Sequence, residues 1–544
     1  MPRITEAVRL VSVALCASSL LLGVSASAQA APGDLDPSFG AGGLVTTDFG
    51  SRGDFSLAVA LQTDGKIVAA GNSSRADVFD VDFALARYNS NGSLDATFGS
   101  GGTVLTDFGT SVDAASDVVV QPDGKILAAG IRAGDFALAR YNADGSLDAA
   151  FGSAGKVTTD FGSFDQANAV AVQSDGKFVA AGGTAGGFAL ARYNSDGSLD
   201  AGFGSGGKVV GSLPVFVFDV AMTRDAKILV AGGSGFFPFG SSDLTLARYG
   251  SDGALDTGFG SGGTVVTDFG GSDNAFAIAL YPDGRIVAAG GTKTSPSSGD
   301  FALARFNPAG SLDATFGTGG RVLTDFSSGS DDTAFGVVVH PDGGITAAGF
   351  TGSATGSSFA LARYTSSGTL DVGFGSGGKV TTTFGHSTNG AFDIAAQPDG
   401  KVVAAGSTSV FGSSADFALA RYLGAPTTIT VAVDVKPDSA DNVVPLQSGG
   451  VVPVAILTTD SFDATTVDPA SVCFGGADDP GARACVEKHH TGHLEDANGD
   501  GRTDLLLHYD VAQTGIDPGD TEACLTGRTY AGVAIAGCDR ISTK

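Results

Sequence analysis

Residues 121–162 read QPDGKILAAGIRAGDFALARYNADGSLDAAFGSAGKVTTDFG, and variants of this stretch recur along the chain. Its most regular part, F-A-L-A-R-Y, occurs in seven versions whose arginines are 52 to 58 residues apart. The fourth version reads L-T-L-A-R-Y, and the fifth ends in Phe306 instead of tyrosine. A fixed period of this length is typical of repeat architectures, in which one supersecondary unit is stacked or closed into a ring. The repeat indicates the fold, but it does not name an activity.

Each unit contains the pattern of four short strands. Apolar runs such as 126–129 are bounded by turn residues, as β-strands are. The turn Asp123-Gly124 favours a two-residue hairpin in which both turn positions have positive φ, and Asp225-Ala226 is a less favourable version of it. The F-A-L-A-R-Y run and a last run such as 156–159 complete four antiparallel strands, which predicts one blade of a β-propeller. The units lack the 3.6-residue apolar period of helical repeats.

The two ends of the repeat region indicate how the blades are arranged. The first repeated element runs from Leu35 to Thr47 and corresponds to the last quarter of a unit, whereas the final repeat stops at Tyr422 without that quarter. Because the two fragments add up to one unit, we predict an all-β fold: a seven-bladed β-propeller, residues 31–422, closed by the N-terminal strand. Such closure leaves no open sheet edge, whereas an open solenoid would have no reason for complementary ends.

The units resemble the delta-sixty repeats of secreted bacterial proteins and, more broadly, NHL-like blades with the pattern A-V-x-P-D-G-x-I-x-V-A. The resemblance covers roughly residues 34–422 and is carried by all seven copies. It implies a propeller and export of the protein. The function of that family is unknown, so the resemblance supplies no catalytic residues.

A repeated arginine and a repeated aspartate are predicted to form a structural ion pair in every blade. The arginine of each F-A-L-A-R-Y lies eight positions before the aspartate of the following L-D-x-x-F-G, and ring closure offers Asp36 to the last arginine. A guanidinium on an otherwise apolar strand face requires a carboxylate or carbonyl partner. Seven identical copies argue against a catalytic role. The predicted pairs are Arg87–Asp95, Arg140–Asp148, Arg192–Asp200, Arg248–Asp256, Arg305–Asp313, Arg363–Asp371 and Arg421–Asp36.

Function in the propeller is expected where the units differ. An apolar insertion in the fourth unit carries Phe236, Phe237 and Phe239, which are candidates for contact with a partner, although a loop folded onto its own blade is the alternative. His340 and His386 are isolated and are interpreted as incidental surface residues. The sequence contains no catalytic-serine, zinc-protease or phosphate-binding motif, and we assign no catalytic residue.

The N-terminus predicts export. A short basic region, the apolar stretch 10–24 and the small residues Ala28-Gln29-Ala30 match a signal peptide, residues 1–30, so we expect a secreted, extracellular protein without a membrane span. The formal net charge of −27 argues against nucleic acid as a partner. We expect a monomer that binds an unidentified extracellular protein or glycan.

After a linker at residues 423–428, residues 429–544 lack the repeat and predict a small β-sandwich. This module holds four cysteines, Cys473, Cys485, Cys524 and Cys538. An even number of cysteines in an exported protein favours two disulfides. Neighbours in sequence suggest Cys473–Cys485 and Cys524–Cys538, but three pairings are formally possible, and a zinc site is the alternative.

The same module contains a calcium-like loop. Its candidate ligands are Asp496, Asn498, Asp500, Asp504 and the carbonyl of Arg502, with glycine at position 6 as in an EF-hand. The glutamate at position 12 is missing and the following segment reads as a strand, as in β-rich extracellular modules. We therefore expect calcium as a stabilising cofactor, with a metal-free polar turn as the alternative.

A second metal hypothesis concerns histidines. His489, His490 and His493 lie just upstream of the loop and, with His508, offer candidate zinc ligands without a recognisable ligand spacing. They are secondary to the calcium hypothesis.

Three functions remain open from the sequence. We favour a secreted, non-catalytic binding or scaffold propeller with a calcium-stabilised accessory domain. The alternatives are an exported hydrolase or lyase with a site in the propeller channel, or an extracellular adhesive or structural protein. Carboxylates that converge in the channel would favour an enzyme.

Overall fold

The computed structural model describes residues 30–544, apart from short gaps. The gaps are residues 51–52, 75–79, 111, 186, 212–214, 235–241, 296–297, 354, 411–413, 425–427, 438, 440, 447–449, 460–461, 478–482, 486–491 and 531–533. The predicted signal peptide therefore lies outside the described residues, except for Ala30. Within the described part of the chain, no helix is long and apolar enough to cross a membrane.

Seven four-stranded antiparallel blades form the propeller. In blades 1 to 6 the strand order follows the chain, and a parallel bridge between Gly299 and Asp331 joins blades 5 and 6. The first strands of neighbouring blades pack against one another around the axis. The strands are β1 Leu44–Thr47; β2 Gly53–Leu61, β3 Ile67–Ser74, β4 Val81–Tyr88 and β5 Thr103–Thr106 in blade 1; β6 Asp113–Val120, β7 Ile126–Arg132, β8 Asp135–Tyr141 and β9 Lys156–Thr159 in blade 2; β10 Asp165–Val172, β11 Phe178–Thr184, β12 Gly187–Tyr193 and β13 Lys208–Gly211 in blade 3; β14 Val215–Met222, β15 Ile228–Ser234, β16 Leu244–Tyr249 and β17 Thr264–Thr267 in blade 4; β18 Ser272–Leu280, β19 Ile286–Ser295, β20 Ser298–Phe306 and β21 Arg321–Thr324 in blade 5; β22 Asp331–Val339, β23 Ile345–Ser353, β24 Gly356–Tyr364 and β25 Lys379–Thr382 in blade 6; and β26 Thr388–Ala396, β27 Val402–Ser409 and β28 Ala415–Tyr422 in blade 7.

The N-terminal strand closes the ring, as predicted. β1 pairs antiparallel with β28, with Leu44 opposite Ala420 and Thr47 opposite Phe417. Blade 7 therefore consists of β26, β27, β28 and β1. The all-β, seven-bladed architecture is confirmed, and the outer edge of β28 is covered by the other end of the propeller chain.

The hairpin turns differ from the predicted type. Gly124 N–H donates to the Gln121 carbonyl at 2.9 Å, and Gly124 has φ +82°, whereas Asp123 does not have positive φ. The loop therefore contains three residues, and only its last position is left-handed, because Pro122 fixes a negative φ at the first. In blade 4, Ala226 takes that last position with φ +58°, a conformation that glycine adopts at lower cost.

A β-bulge interrupts the first strand of every blade, and the glycine of the repeated A-A-G accommodates it. In blade 2 the register between β6 and β7 shifts between Ala115 and Asp117. A Cβ at Gly130 would lie 1.9 Å from the Ala114 carbonyl oxygen, so no larger side chain fits there. The bulge inserts one extra residue into each first strand, and this residue does not follow the alternation of side chains between the two faces of the sheet.

Buried side chains tie neighbouring blades together. The tyrosine that ends a third strand reaches the threonine at the end of the preceding blade's fourth strand: Tyr141 Oη donates to Thr106 Oγ1 at 2.8 Å, and both are buried. The phenylalanine in the fifth repeat, Phe306, has no hydroxyl, and Thr267 Oγ1 is left without a hydrogen-bond partner. The hydroxyl of the repeated tyrosine thus connects neighbouring blades by a buried hydrogen bond.

Residues 428–544 form a two-sheet sandwich, as predicted. One sheet has the order β29-β37-β36-β33 and the other β30-β32-β35-β34, and their facing side chains, such as Leu525 and Leu507, share one buried core. The apolar run at the start of the module, residues 429–435, contributes to two strands that belong to different sheets. The elements are β29 Thr428–Thr430, β30 Ala432–Val435, β31 Val443–Val444, β32 Val451–Leu457, β33 Cys473–Gly476, β34 His493–Glu495, β35 Asp504–Asp510, β36 Glu522–Arg528, β37 Ala534–Arg540 and β38 Ser542–Thr543, with 3-10 helices at Ala464–Thr466, Pro469–Ser471 and Val511–Gln513.

Candidate functional site

The repeated arginines and aspartates lie in ion-pair contact in all seven blades. A guanidinium nitrogen lies 2.8 to 3.0 Å from the carboxylate of the aspartate eight positions later, and Arg421 Nε lies 2.9 Å from Asp36 Oδ2 across the closure. Six of the repeated arginines also contact the next blade: Arg87 Nη1, for example, donates to the Ala143 carbonyl of blade 2. Arg363 Nη2 instead donates to Asp342 Oδ2 of its own blade at 2.7 Å. Arg87 Cζ lies 4.6 Å from the centre of the Phe98 ring. These contacts occupy the guanidinium within the fold, which is a structural role.

The central channel contains the candidate functional site. A cavity of about 310 Å³ lies between the first strands of the blades. The bulged residue of each first strand contributes to its wall. Going around the ring from blade 1 to blade 7, these residues are Leu57, Ser116, Asn168, Phe218, Phe276, Phe335 and Phe392.

Four phenylalanines form one side of the channel wall. The ring centres of Phe218 and Phe276 are 4.8 Å apart, those of Phe276 and Phe335 are 4.8 Å apart, and those of Phe335 and Phe392 are 5.5 Å apart. The other side carries a leucine, a hydroxyl and an amide at the same positions. The channel is therefore apolar and aromatic on one side and more polar on the other.

Three aspartates follow the bulged residues of blades 2, 4 and 7 and also line the cavity: Asp117, Asp219 and Asp393. Each accepts a hydrogen bond from the backbone N–H of the next residue and a second one from the first strand of the next blade. Asp219 Oδ2, for example, accepts from Ile278 N–H at 2.7 Å. The aspartates therefore connect adjacent inner strands while they face the channel.

Burial and mutual repulsion raise the pKa of these three groups. Burial raises the pKa of Asp117 to about 6. Burial and the charge of Asp117 raise the pKa of Asp219 to about 7, although the bond from Ile278 N–H opposes the shift. Burial and the charges of Asp117 and Asp219 raise the pKa of Asp393 to about 8, against the bond from Val59 N–H. The channel thus concentrates carboxylates that ionise near neutral pH.

No sequence motif pointed to these channel residues. The three aspartates are 102 and 174 residues apart, and their positions carry Ala58, Ala169, Ala277 and Gly336 in the other blades. One feature of the sequence could have identified these positions: the residue after the bulge differs between units, whereas the residues around it repeat.

Two propeller predictions have different outcomes. His340 is not a surface residue: it is 2% exposed, and its Nε2 lies 2.8 Å from Thr346 Oγ1, so the prediction was wrong. Burial lowers the pKa of His340 to about 4, which keeps the ring neutral. Phe236, Phe237 and Phe239 lie outside the described residues, and the partner contact stays a prediction.

The module contains the two predicted disulfides, Cys473–Cys485 and Cys524–Cys538. Cys524 and Cys538 face each other on the paired strands β36 and β37. His489 and His490 lie outside the described residues. The rings of His493 and His508 have centres 5.6 Å apart, on the paired strands β34 and β35.

The calcium-like loop is a compact polar turn. Asp496 accepts hydrogen bonds from the backbone N–H groups of Gly499, Asp500 and Gly501. The side chains of Asn498 and Asp500 are 3.4 Å apart. Asp504 is buried, and its two oxygens accept from the N–H groups of Thr458 and Ala497. The loop thus gathers Asp496, Asn498 and Asp500 on one exposed turn, with Asp504 fixed at its base.

A comparison with known protein families finds one match in each blade. Segments 62–98, 121–151, 173–203, 224–259, 282–316, 340–374 and 397–424 match one family model, the β-propeller domain of unknown function DUF5122. Seven segments of the chain, one for each blade, therefore match this propeller family. Each matched segment begins in the hairpin between the first and second strands of a blade. The first six end at the phenylalanine of L-D-x-x-F-G, and the seventh ends at residue 424.

Similarity to individual proteins is low. No curated protein matches the chain. A fungal alcohol oxidase in complex with copper is 12% identical, with 94% of this chain and 99% of that chain covered and a TM-score of 0.43. Streptogramin B lyase is 9% identical over 69% and 96%, TM-score 0.41, and Sqt1 from Chaetomium thermophilum is 12% identical over 65% and 80%, TM-score 0.39. Similarities at this level do not assign an activity.

Proposed function

We propose that this protein is an exported binding protein whose central channel takes a cationic ligand with an apolar part. The observation that carries the proposal is the pairing of three channel carboxylates with a row of four phenylalanines in one cavity. A protonated amine or a guanidinium would meet Asp117, Asp219 and Asp393, and an apolar group attached to it would lie against the rings. A cavity of about 310 Å³ suits a small molecule or one side chain of a partner protein.

Ligand affinity is expected to depend on charge and on pH. A phenylalkylamine should bind and the matching neutral phenylalkyl alcohol should not, because only the amine compensates the carboxylates. Affinity should rise at least about tenfold between pH 6 and pH 8.5, because Asp219 and Asp393, with pKa values of about 7 and 8, ionise in that interval. Isothermal titration calorimetry with the two probes at both pH values measures this.

Matched variants assign the binding to the channel. Asp219→Asn should weaken amine binding and reduce its pH dependence, because it removes one of the three channel carboxylates. Phe276→Leu should weaken the phenylalkylamine more than an alkylamine of the same charge. Asp283→Asn, at an exposed hairpin, serves as the control. Equal binding of amine and alcohol, or equal effects of the three variants, would refute the proposal.

An exported hydrolase or lyase is the second candidate. The pKa values of about 6 to 8 at Asp117, Asp219 and Asp393 favour it, because general acid–base groups work best near the ambient pH. All three are held by backbone N–H groups, which suits a fixed binding wall equally well. Mass spectrometry of the bound probe after prolonged incubation separates the two, since a chemically changed product that Asp219→Asn abolishes would establish catalysis.

We further propose that the protein is exported and that calcium stabilises its module. Two disulfides suit an oxidising compartment, in keeping with the signal-like residues 1–30. The exposed oxygens of Asp496, Asn498 and Asp500 are hard ligands of the kind that calcium prefers, and the Arg502 carbonyl would add another. Asp504 would then orient the loop from its base.

Calcium should slow amide hydrogen exchange in residues 496–504. Extracellular sites of this kind bind with Kd values of about 0.1 to 1 mM, so 10 mM calcium should slow local exchange about tenfold or more relative to chelated protein. Hydrogen-exchange mass spectrometry of the full chain localises the effect. Asp496→Ala should abolish it and Asp517→Asn in the same module should not; unchanged exchange in the wild type would refute this site.

A further inference from the structure

Aspartates meet in groups of three at five of the seven junctions between blades. One comes from the start of a third strand, one from just beyond the fourth strand, and one from the start of the next blade's first strand. At four junctions the structure brings one oxygen of each within 4.8 Å of the others. At the fifth, Asp300, Asp325 and Asp332 occupy the equivalent positions of the strands. The junction triads are Asp416–Asp48–Asp54, Asp82–Asp107–Asp113, Asp135–Asp160–Asp165, Asp243–Asp268–Asp273 and Asp300–Asp325–Asp332.

The three aspartates of a triad are either all present or all absent at a given junction. In the sequence, the two remaining units have no acid at the aligned positions, which are Gly187, Ser212 and Val215 in one and Ser358, Thr383 and Asn389 in the other; Ser212 lies outside the described residues. Independent drift would leave junctions with one or two acids. The all-or-none pattern within one chain indicates that the three carboxylates act as a set.

The fold does not require a negative charge at this place. Asp273 Oδ2 accepts a hydrogen bond from Phe269 N–H at 2.6 Å, which fixes the turn between two blades. Asn389 Oδ1 accepts the equivalent bond from Phe384 N–H at 3.2 Å in an acid-free junction. An amide therefore suffices for the turn, and the negative charge of the triads serves another purpose.

The triad of blades 4 and 5 also presents a buried oxygen without a partner. Asp273 is fully buried, and its Oδ1 has no partner within hydrogen-bond distance; the hydroxyl of Thr292 is the side-chain group that favours its ionised form. Asp332 at the next junction is likewise fully buried, and its Oδ1 also has no partner within hydrogen-bond distance. A buried carboxylate oxygen beside two further carboxylates is costly unless a cation or a proton compensates it.

We propose that the Asp243–Asp268–Asp273 triad binds a divalent metal ion, with calcium as the best fit, and that the four equivalent triads do the same. Carboxylate oxygens are hard ligands, and calcium accepts six to eight oxygens in irregular geometry, including water. Asp268 is exposed, so the ion can enter from solvent while Asp273 anchors it from the interior. Each ion would connect the outer strands of one blade to the inner strand of the next.

Counting bound calcium tests the proposal. The full chain without residues 1–30, carrying Asp496→Asn and Asp500→Asn to remove the module loop, is stripped with chelator and dialysed against 5 mM calcium. Metal analysis should find several ions per chain. Adding Asp243→Asn, Asp268→Asn and Asp273→Asn should reduce the count by about one, whereas Ser358→Ala with Thr383→Val, in an acid-free junction, should leave it unchanged.

Thermal melting provides the second readout. Without metal, the triple asparagine variant should melt at or above the temperature of its parent, because like charges are removed. With calcium, the parent should gain more than the variant. If the triple variant does not fold, Asp273→Asn alone, which copies the natural Asn389, takes its place. An unchanged calcium count, or a parent stabilised by acid but not by calcium, would overturn the proposal and leave a shared proton as the explanation.

Discussion

A variant that lacks residues 32–49 is expected to lose the folded propeller. The deletion removes β1 and the segment before it, so blade 7 keeps three strands and exposes the edge of β28. It also removes Phe39, which is fully buried, and Phe49, whose ring centre lies 4.9 Å from that of Phe417. Circular dichroism and size-exclusion chromatography should show loss of the cooperative transition and aggregation.

The expected loss is large compared with the stability of a typical domain. Truncating one buried phenylalanine costs about 3–5 kcal/mol, and leaving Arg421 buried without Asp36 costs a further 3–5 kcal/mol. The backbone pairings of residues 44–47 with 417–420 are lost as well. Domains are typically stable by about 5–15 kcal/mol in total, so the open chain has little or no stability left.

A peptide supplied separately is the control for this deletion. A synthetic peptide of residues 32–49 should restore a cooperative transition to the shortened chain, because it completes blade 7. The same peptide with Asp36→Asn and Phe39→Ala should not. A shortened chain that melts like the full chain without any peptide would show that closure by β1 contributes little.

The closed ring was predictable from the sequence because it depends on features that repeat. Turn glycines, apolar runs and the eight-residue spacing between Arg192 and Asp200 recur in phase, so each unit supports the interpretation of the others. The offset between the first and last fragments then indicated how the ends meet. The ion pairs followed from the same phase, because strand alternation places an arginine on an apolar face.

The channel was not predictable, because it depends on where the repeats depart from regularity. A one-residue bulge decides which side chain of each first strand faces the axis, and its position is visible only in the pairing register, as between Ala391 and Asp393. The residues that meet there are more than a hundred positions apart. His340 was misjudged because it is isolated in the sequence and was therefore interpreted as a surface residue, whereas its ring is buried and lies next to Thr346.

The junction triads could be predicted from the sequence only in part. Their aspartates occur in phase in D-F-A-L and T-D-F-G, so their repetition was visible. Their proximity was not, because each triad combines one blade's outer strands with the first strand of the next. Periodicity identifies such residues, but the connection between units has to be known before they form a group.

The Arg192→Ala variant is expected to be less stable than the wild type by about 3 kcal/mol. Arg192 has a side chain that is 8% exposed, its Nε donates to Asp200 Oδ2 at 2.9 Å, and its Nη1 donates to the Ser251 carbonyl of the next blade. Removing it leaves Asp200 and that carbonyl uncompensated, and breaking a buried pair by removing one partner typically costs about 3–5 kcal/mol. Chemical unfolding should show a lower midpoint with no change at the ligand site.

Lys177→Ala is the matched control, because Lys177 Nζ lies 2.9 Å from the same Asp200 oxygen. The Lys177 side chain is 34% exposed, so water replaces much of its interaction, and the loss should stay below about 1 kcal/mol. The two variants remove the same charge from the same carboxylate and differ in burial. Equal losses would show that charge alone matters and that the buried arginine has no special structural role.

Acid should reduce the difference between Arg192→Ala and the wild type. Lys177, the Gly202 N–H and Arg192 lower the pKa of Asp200 to about 2, although burial opposes them. A carboxylate with a lowered pKa stabilises the folded state above its unfolded pKa of about 4, and this contribution is lost as the pH falls towards 2. Near pH 2 a protonated Asp200 needs the guanidinium less, so the remaining difference reflects the Phe203 ring, 4.7 Å from Arg192 Cζ, and the Ser251 carbonyl. A difference that stays constant from pH 7 to pH 2 would assign the whole effect of Arg192 to packing instead of charge.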